Sequence, residues 1–527
     1  MVRRSMLAAA VAAFAAVAGA ASAATLKWAS DGDLSSLDPY ARQETFLLSF
    51  DGNIYEPLVR RDRNLRLEPA LALSWAQTSP TVWRFVLRQG VKFQDGTPFS
   101  ADDVLFSFGR VREETSNLKG AVAAITEVRK IDDFTVDFVT DAPDPILPAE
   151  LADWDIMSKV WCEMRDAVHP ADLAKGEESY ATNHANGTGP FMPREREGDA
   201  RTVLVPNPGW WDKPEHDLDT VEYRRIANPS ARVAALLSGE VDMIYPVPPQ
   251  EVERISGAAG FRIVQGPELR TIFLSFDQSR PELLESDVKG KNPFKDKRVR
   301  QAFYLAIDEE AIAQKVMRGQ ARPAGLMVAP GVNGYAPELD RRFPYDPVAA
   351  RKLLAEAGYP NGFATGMDCP SDRYVNDEQI CLTVVAMLAK IGVKANLLAQ
   401  PRAKFFAKVL APDFDTSFYM LGWTPAAGDA QSMLVSLAHT RDVKTFAGNF
   451  NVSGYSNPEL DALIDAIRVE TDQKKRTEAI RKALAILRDD FAFIPLHQQT
   501  LLWAVRDGVT VVLQADNRFQ LRYVNVR

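Results

Sequence analysis

Hydrophobic and polar positions along the chain change period repeatedly, and each change marks an element. Thr25 to Ser30 (TLKWAS) alternates as a first strand, and Gly32 and Pro39 break the stretch after it. Val82 to Leu87 alternates again, with a second short strand at Val91 to Phe93 and a turn at Asp95-Gly96. Ser100 then caps a helix, with Asp103 three residues later completing a capping box. Another break falls at Thr188 to Phe191. Asn228 and Pro229 stand in cap and first-turn order before the helix SARVAALLSGEVD, which Gly239 ends. Helical spacing predicts further helices over Arg298 to Arg318, Pro347 to Ala357 and Pro458 to Arg468, whose aromatic and methionine positions read as core. The alternating run DFDTSFY leads into MLGWTPAAGD, Met420 to Asp429, which reads as a loop leaving an apolar strand with an aromatic ring, a hydroxyl and a carboxylate: Trp423, Thr424 and Asp429. Strands and helices intermix throughout, without a repeat of fixed period, so the fold class is α/β.

The first segment, MVRRSMLAAAVAAFAAVAGAASA, departs from this pattern. Arg3 and Arg4 precede a short apolar run that closes on Ala21-Ser22-Ala23, the arrangement of a cleaved export signal. Cleavage after Ala23 is expected, with no cysteine following to carry a lipid. No later stretch offers the ~20 apolar residues needed to span a bilayer.

The 527 residues, 46% hydrophobic and 25% charged, suffice for two or three packed domains. Formal charge is −8, and loss of the leader's two arginines makes it −10. An acidic chain disfavours nucleic acid and anionic membrane as partners. The short basic run Lys474 to Arg476 reads as a solvated helix face. Of three cysteines, Cys369 and Cys381, twelve apart, can close one loop and leave Cys162 single; three buried thiols are the equal alternative.

Catalytic patterns are absent: no G-x-S-x-G, no H-E-x-x-H and no G-x-x-x-x-G-K. His169, His184, His216, His439 and His497 are scattered singly, so no metal cage is legible, and His497 reads as a packed or surface residue. Asp102-Asp103 and Asp489-Asp490 sit where helix dipoles and solvation account for them. No cofactor and no catalytic residue is expected, and binding is favoured over turnover.

Tyr55 to Val111, YEPLVRRDRNLRLEPALALSWAQTSPTVWRFVLRQGVKFQDGTPFSADDVLFSFGRV, resembles the diagnostic segment of the extracellular solute-binding proteins of family 5, the receptors of peptide, dipeptide and nickel ABC importers. AALLSGEVD, KDKRVRQAFYLAIDEEAI, YDPVAARKLLAEAGYP, YSNPELDALI and FIPLHQQ are similar to further family landmarks in the expected order. The resemblance implies a periplasmic binding protein-like fold of the cluster C type, two lobes around a ligand cleft plus an extra side domain. Lobe I would comprise 24–65, 187–278 and 500–527, the side domain 66–186, and lobe II 279–499. It also implies a periplasmic monomer that captures a solute by lobe closure and delivers it to an inner-membrane permease and its ATPase.

Site expectations rest on the same resemblance. Peptide-carrying relatives place an aspartate three residues after the tryptophan equivalent to Trp423, where it pairs with the peptide ammonium; here that position is Ala426, and Asp429 is the nearest carboxylate. Either Asp429 replaces that anchor or the solute lacks an ammonium there. Asp31, Asp33, Leu34 and Ser35 align with positions that bind peptide backbone. Arg373, Tyr374 and Asn376, in DCPSDRYVND, fall where relatives contact the ligand's far end, Arg373 as a donor to a carboxylate. Asn449 and Asn451 are weaker candidates. Short peptide is the first substrate expectation, with a nickel chelate, opine or modified sugar as alternatives. A secreted hydrolase would turn a solute over, and a sensor or chaperone would use a partner other than a permease.

Overall fold

A computed structural model describes residues 24–527, so the expected leader lies outside the described residues. An eleven-stranded mixed sheet runs through the molecule. Its strands are β1 (Thr25–Ser30), β2 (Phe191–Glu197), β3 (Arg201–Pro206), β4 (Thr220–Arg225), β5 (Met243–Ile244), β6 (Phe261–Phe276), β7 (Ala321–Pro323), β8 (Ala364–Pro370), β9 (Lys394–Gln400), β10 (Phe418–Trp423) and β11 (Phe493–Arg506). The order is β9-β8-β10-β6-β11-β5-β1-β4-β3-β2, with β7 on β11. Two long antiparallel strands, β6 and β11, therefore sit at the centre and join a half built on β1–β5 to a half built on β7–β10.

Those two strands change partner halfway. Phe261 to Pro267 pair with Arg506 to Thr500, the register then shifts, and Thr271 to Ser275 pair with Gln498 to Phe493 while Thr271 to Phe276 also pair with β10. Glu268, Leu269 and Arg270 form the bulge between the registers. A bulge bends a strand and turns side chains out of the ladder, and here it does so where the halves meet. The register shift on β11 lies beside Thr500; on β6 it precedes the expected boundary at Gln278.

Each half buries separate hydrophobic surface. Leu26 and Trp28 of β1 share one core with Phe138, Trp154 and Val104 of the inserted segment, whose own sheet holds Ala72–Ser79, Val82–Leu87, Thr135–Thr140 and Ile125–Asp132. The other half has two cores, one around Phe303 and Phe418 and one around Tyr419 and Leu484. Further ties bind the insertion to the first half: Arg110 pairs with the fully buried Asp38, and Tyr40 Oη donates to the carbonyl of Asp155 at 2.7 Å and accepts from Trp154 Nε1 at 3.1 Å.

Several expectations hold locally. Ser100 and Asp103 make the capping box, Asn228 accepts from the Ala231 amide at 2.9 Å to start α1 (Pro229–Leu237), and a helix spans Pro458–Val469. Others are corrected. The helix expected over Arg298 to Arg318 stops at Ala306; Asp308 caps a new turn, and Ile312–Val316 winds as a π-helix. Of the DFDTSFY run only Phe418 and Tyr419 are strand, and β10 continues through Trp423, because Arg280 draws the carbonyls of Asp413 and Phe414 out of any ladder. Val91 to Phe93 contributes a single bridge, Lys92 to Pro98.

At the seam between the first half and the insertion lies a cavity of about 60 Å³ lined by Asp155, Arg60 and Arg518. No ion pair or hydrogen bond reaches the Asp155 carboxylate among the described residues, and burial pushes its carboxyl up to about 7, with Asp153 and Glu56 adding to the rise against Arg518. A carboxyl raised in the folded state favours folding while protonated, so its contribution is full below about pH 4 and is lost as pH climbs to about 7. Asp155→Asn is expected to raise unfolding free energy at pH 8 by about 1–2 kcal/mol and leave it nearly unchanged at about pH 4, where the unfolded carboxyl is also largely protonated. Equal effects in denaturant melts at both pH values would refute this.

Candidate functional site

A cavity of about 560 Å³ lies between the halves and draws its walls from both. This is within the range of small-molecule sites. The first half supplies Asp31, at the end of β1, and an aromatic wall. In that wall Tyr245 stacks on Trp503, at 5.2 Å and 27°, and packs from the core side on the buried Trp28, at 5.4 Å and 11°. Phe46 and Thr45 stand beside it. The second half supplies the loop Ser371 to Asn376 between β8 and α2 (Asp377–Ala389). The bulge adds Glu268 and Arg270 at the floor.

That loop is held from several directions. Asp377 Oδ2 accepts from the amides of Arg373 at 2.8 Å and Tyr374 at 3.1 Å, and burial pushes the Asp377 carboxyl up to about 6 against those amides. A disulfide joins Cys369, at the end of β8, to Cys381 on α2 across the loop, leaving Cys162 a buried free thiol. Tyr374 Oη accepts from the Gly422 amide at 2.8 Å. Asn376 adopts the left-handed conformation, φ 56°, which asparagine tolerates better than most residues. Its Nδ2 donates to the carbonyl of Val316 at 2.9 Å, while its Oδ1 accepts from Gln250 Nε2 of the first half at 3.0 Å. Gln250 and Asn376 thus bridge the halves.

Positive charge gathers at the floor. Both the Arg270 and Arg373 guanidinium carbons lie near the Tyr374 ring, at 5.9 and 5.3 Å. Arg270 faces Glu268 at 3.1 Å and donates to Thr45 Oγ1 at 3.2 Å. Burial raises the Glu268 carboxyl above the ordinary range, opposed by Arg270 and Arg373. Arg373 has no carboxylate partner among the described residues.

Of the residues expected from sequence, Asp31, Arg373, Tyr374 and Asn376 line this cavity. Asp33, Leu34, Ser35, Trp423 and Thr424 do not, and Leu34 is fully buried in the first core. The Trp423 ring packs on Phe450 at 5.4 Å, on the side of the Tyr419 core. Asp429 is the clearest displacement. Its carboxylate takes a bidentate pair from Arg476, at 2.6 and 2.9 Å, and further bonds from Asn333 Nδ2 and the Gln431 amide, both at 2.8 Å. Both side chains are shielded from solvent, at 5% and 0% exposure, so Asp429 is spent inside the protein and Arg476 is not on a solvated face. Asn451 is buried, with its amide on the carbonyls of His439 and Tyr455; Asn449 is exposed.

Sequence reading missed Glu268, Arg270, Gln250 and the aromatic wall. Gly266-Pro267 inside a strand is the signal that would have found the bulge. His497 is fully buried against Glu309, Nδ1 to Oε1 at 2.6 Å, and no cluster of metal-ligating side chains exists among the described residues. No described helix is long and apolar enough to cross a membrane.

The model of the bacterial extracellular solute-binding proteins, family 5 Middle, matches residues 66–445. The chain is 27% identical over 484 residues to the glutathione-binding protein GsiB of Escherichia coli O157:H7, covering 91% of this chain and 90% of that one. Among solved structures it is similar to the periplasmic binding protein DppA from Helicobacter pylori in complex with the peptide STSA. That match has TM-score 0.81 and 25% identity, over 96% of this chain and 98% of the other. The fold is likewise that of AgaA from A. tumefaciens R10 in complex with agropinic acid, with TM-score 0.79 and 23% identity over 95% and 99%.

Proposed function

From the premise that this chain belongs to the bacterial extracellular solute-binding proteins of family 5, the solute receptors of ABC importers, we propose that it captures a short peptide or peptide-like solute between its halves. Delivery to an inner-membrane permease with a cytoplasmic ATPase comes next, and the site of action is the periplasm after removal of residues 1–23. The observation that carries this reading is the cavity walled from both halves and bridged by Gln250 and Asn376. Contacts drawn from two bodies form together only when these close, so a solute that makes them shifts the equilibrium toward closure by its differential affinity. The bulge of β6 at Glu268 to Arg270, beside Thr500 of β11, provides the hinge.

Within the cavity, Arg373 and Arg270 receive the anionic part of the solute, Asp31 offers an acceptor at the opposite wall, and Tyr245 and Trp503 cover apolar atoms without demanding one side chain. Asp429 is left out of this assignment, which supports a solute whose charge is read elsewhere than at the usual ammonium anchor. Support for the peptide class comes from DppA, solved with a peptide, and from relatives named for glutathione.

The test is a panel of dipeptides, tripeptides and glutathione added to the mature protein, followed by thermal unfolding, small-angle scattering and mass spectrometry of the recovered solute. A binder is expected to raise the melting temperature, contract the particle and come back chemically unchanged. Absence of any binder, an unchanged scattering profile, or an altered solute would defeat the reading.

A further inference from the structure

Three polar atoms on the cavity wall are buried without a hydrogen bond: Arg373 Nε, Glu268 Oε1 and Asn517 Oδ1. Glu268 Oε1 does face Arg270, but in a geometry that makes no hydrogen bond. Glu268 is only 4% exposed. An unsatisfied buried polar atom costs about 1–3 kcal/mol, more when charged, so three on residues lining one cavity ask for a shared explanation. They comprise one cationic donor and two acceptors, one of them anionic. A carboxylate alone would satisfy Arg373 and leave both acceptors bare beside a second negative charge. An ammonium alone would meet Glu268 and Asn517 but stand against two guanidiniums.

Resting on the receptor reading above, we propose that the pole of the cavity formed by Glu268, Arg270, Arg373 and Asn517 recognises an α-amino-acid head, with ammonium and carboxylate on the same carbon. The ammonium donates to Glu268 and to Asn517 Oδ1, and the carboxylate accepts from Arg373 and Arg270. Such a head is present in a free amino acid and in a γ-glutamyl peptide. In an α-linked peptide the amino-terminal carbon carries a neutral carbonyl in place of the carboxylate, so the guanidiniums lose their counter-charge. The cavity extends past this pole to the Tyr245 and Trp503 wall, which suits a γ-linked peptide continuing beyond its head. Discrimination is strong at such a site because the wrong isomer leaves buried charges unpaired.

Isomeric probes test this on the unaltered mature protein. By titration calorimetry, γ-glutamylglycine is expected to bind at least tenfold tighter than α-glutamylglycine, and N-acetylation of the γ-isomer to cost at least tenfold. Glu268→Gln is expected to weaken binding of the γ-isomer and reduce the factor lost on N-acetylation to near one, with its unliganded melting temperature followed alongside; the probe series on the native chain decides if that variant fails to fold. A γ-to-α preference under tenfold, or an acetylated γ-isomer bound as well as its parent, overturns the head-group assignment and leaves the receptor reading intact. Failure of every peptide tried, glutathione included, overturns the receptor reading and this inference with it.

Discussion

Arg476→Leu is expected to destabilise the protein by about 3–5 kcal/mol. Arg476 is fully buried on α3 (Gln473–Asp489), and its guanidinium meets both oxygens of Asp429 as well as Gln431 Oε1 at 2.8 Å and the carbonyl of Ile467 at 3.2 Å. Removing the cation leaves a carboxylate at 5% exposure with only neutral donors, Asn333 and the Gln431 amide. That uncompensated charge, rather than the worth of the pair itself, sets the size of the loss. The double replacement Arg476→Leu with Asp429→Leu should therefore recover a large part of it, since an apolar pair of similar volume removes the desolvation problem on both sides. Urea midpoints with an unchanged slope are the measure, and a double variant no more stable than the single one would contradict the account. Because neither residue lines the cavity, solute affinity of the double variant should stay within about threefold of the native value, provided it is folded.

The second large effect is expected at Gly422. Its amide supports Tyr374 from β10, and an added methyl would lie 2.9 Å from Tyr374 Cε1, 2.9 Å from Ile272 Cδ1 and 3.0 Å from Arg270 Cδ. Three neighbours at that distance leave no direction of easy relief. Two of them carry the cavity floor. Gly422→Ala should cost about 1–3 kcal/mol of stability by overpacking and, by displacing Tyr374 and the guanidinium beside it, weaken solute binding more than tenfold. Tyr374→Phe keeps the ring and removes only the hydroxyl, so it should lose about 1 kcal/mol and little affinity. Affinity of Gly422→Ala equal to that of the native protein would show that the floor is not held through this contact.

The fold was legible from the chain to the extent that local chemistry and landmark order agree. Asn228-Pro229 and Ser100 with Asp103 start helices because caps act within one turn, and tertiary context has no occasion to override them. The break at Ala306 was not legible, since the apolar spacing continues across it and only the Asp308 cap interrupts. DFDTSFY misled for a related reason: alternation of charge and ring satisfies a strand template, yet Arg280 claims the carbonyls from another part of the chain. At the cavity, Arg373, Tyr374 and Asn376 were accessible because they share one loop with a recognisable position. Glu268 and Arg270 were not, because their direction depends on a register shift between strands more than 200 residues apart. Arg476 looked like part of a solvated basic run, and nothing within that run distinguishes it from Lys474 and Lys475, which are exposed. Its burial is decided by Asp429 on a remote segment.

Trp154, Phe138 and Trp28 lie in one apolar core, so the inserted sheet is packed onto the first half rather than standing apart from it. Under the proposed closure the inserted sheet is expected to travel with that half. A fluorophore fixed there then serves as a reference, and a solute-dependent change of its distance to a second dye placed between β7 and β10 is the expected readout.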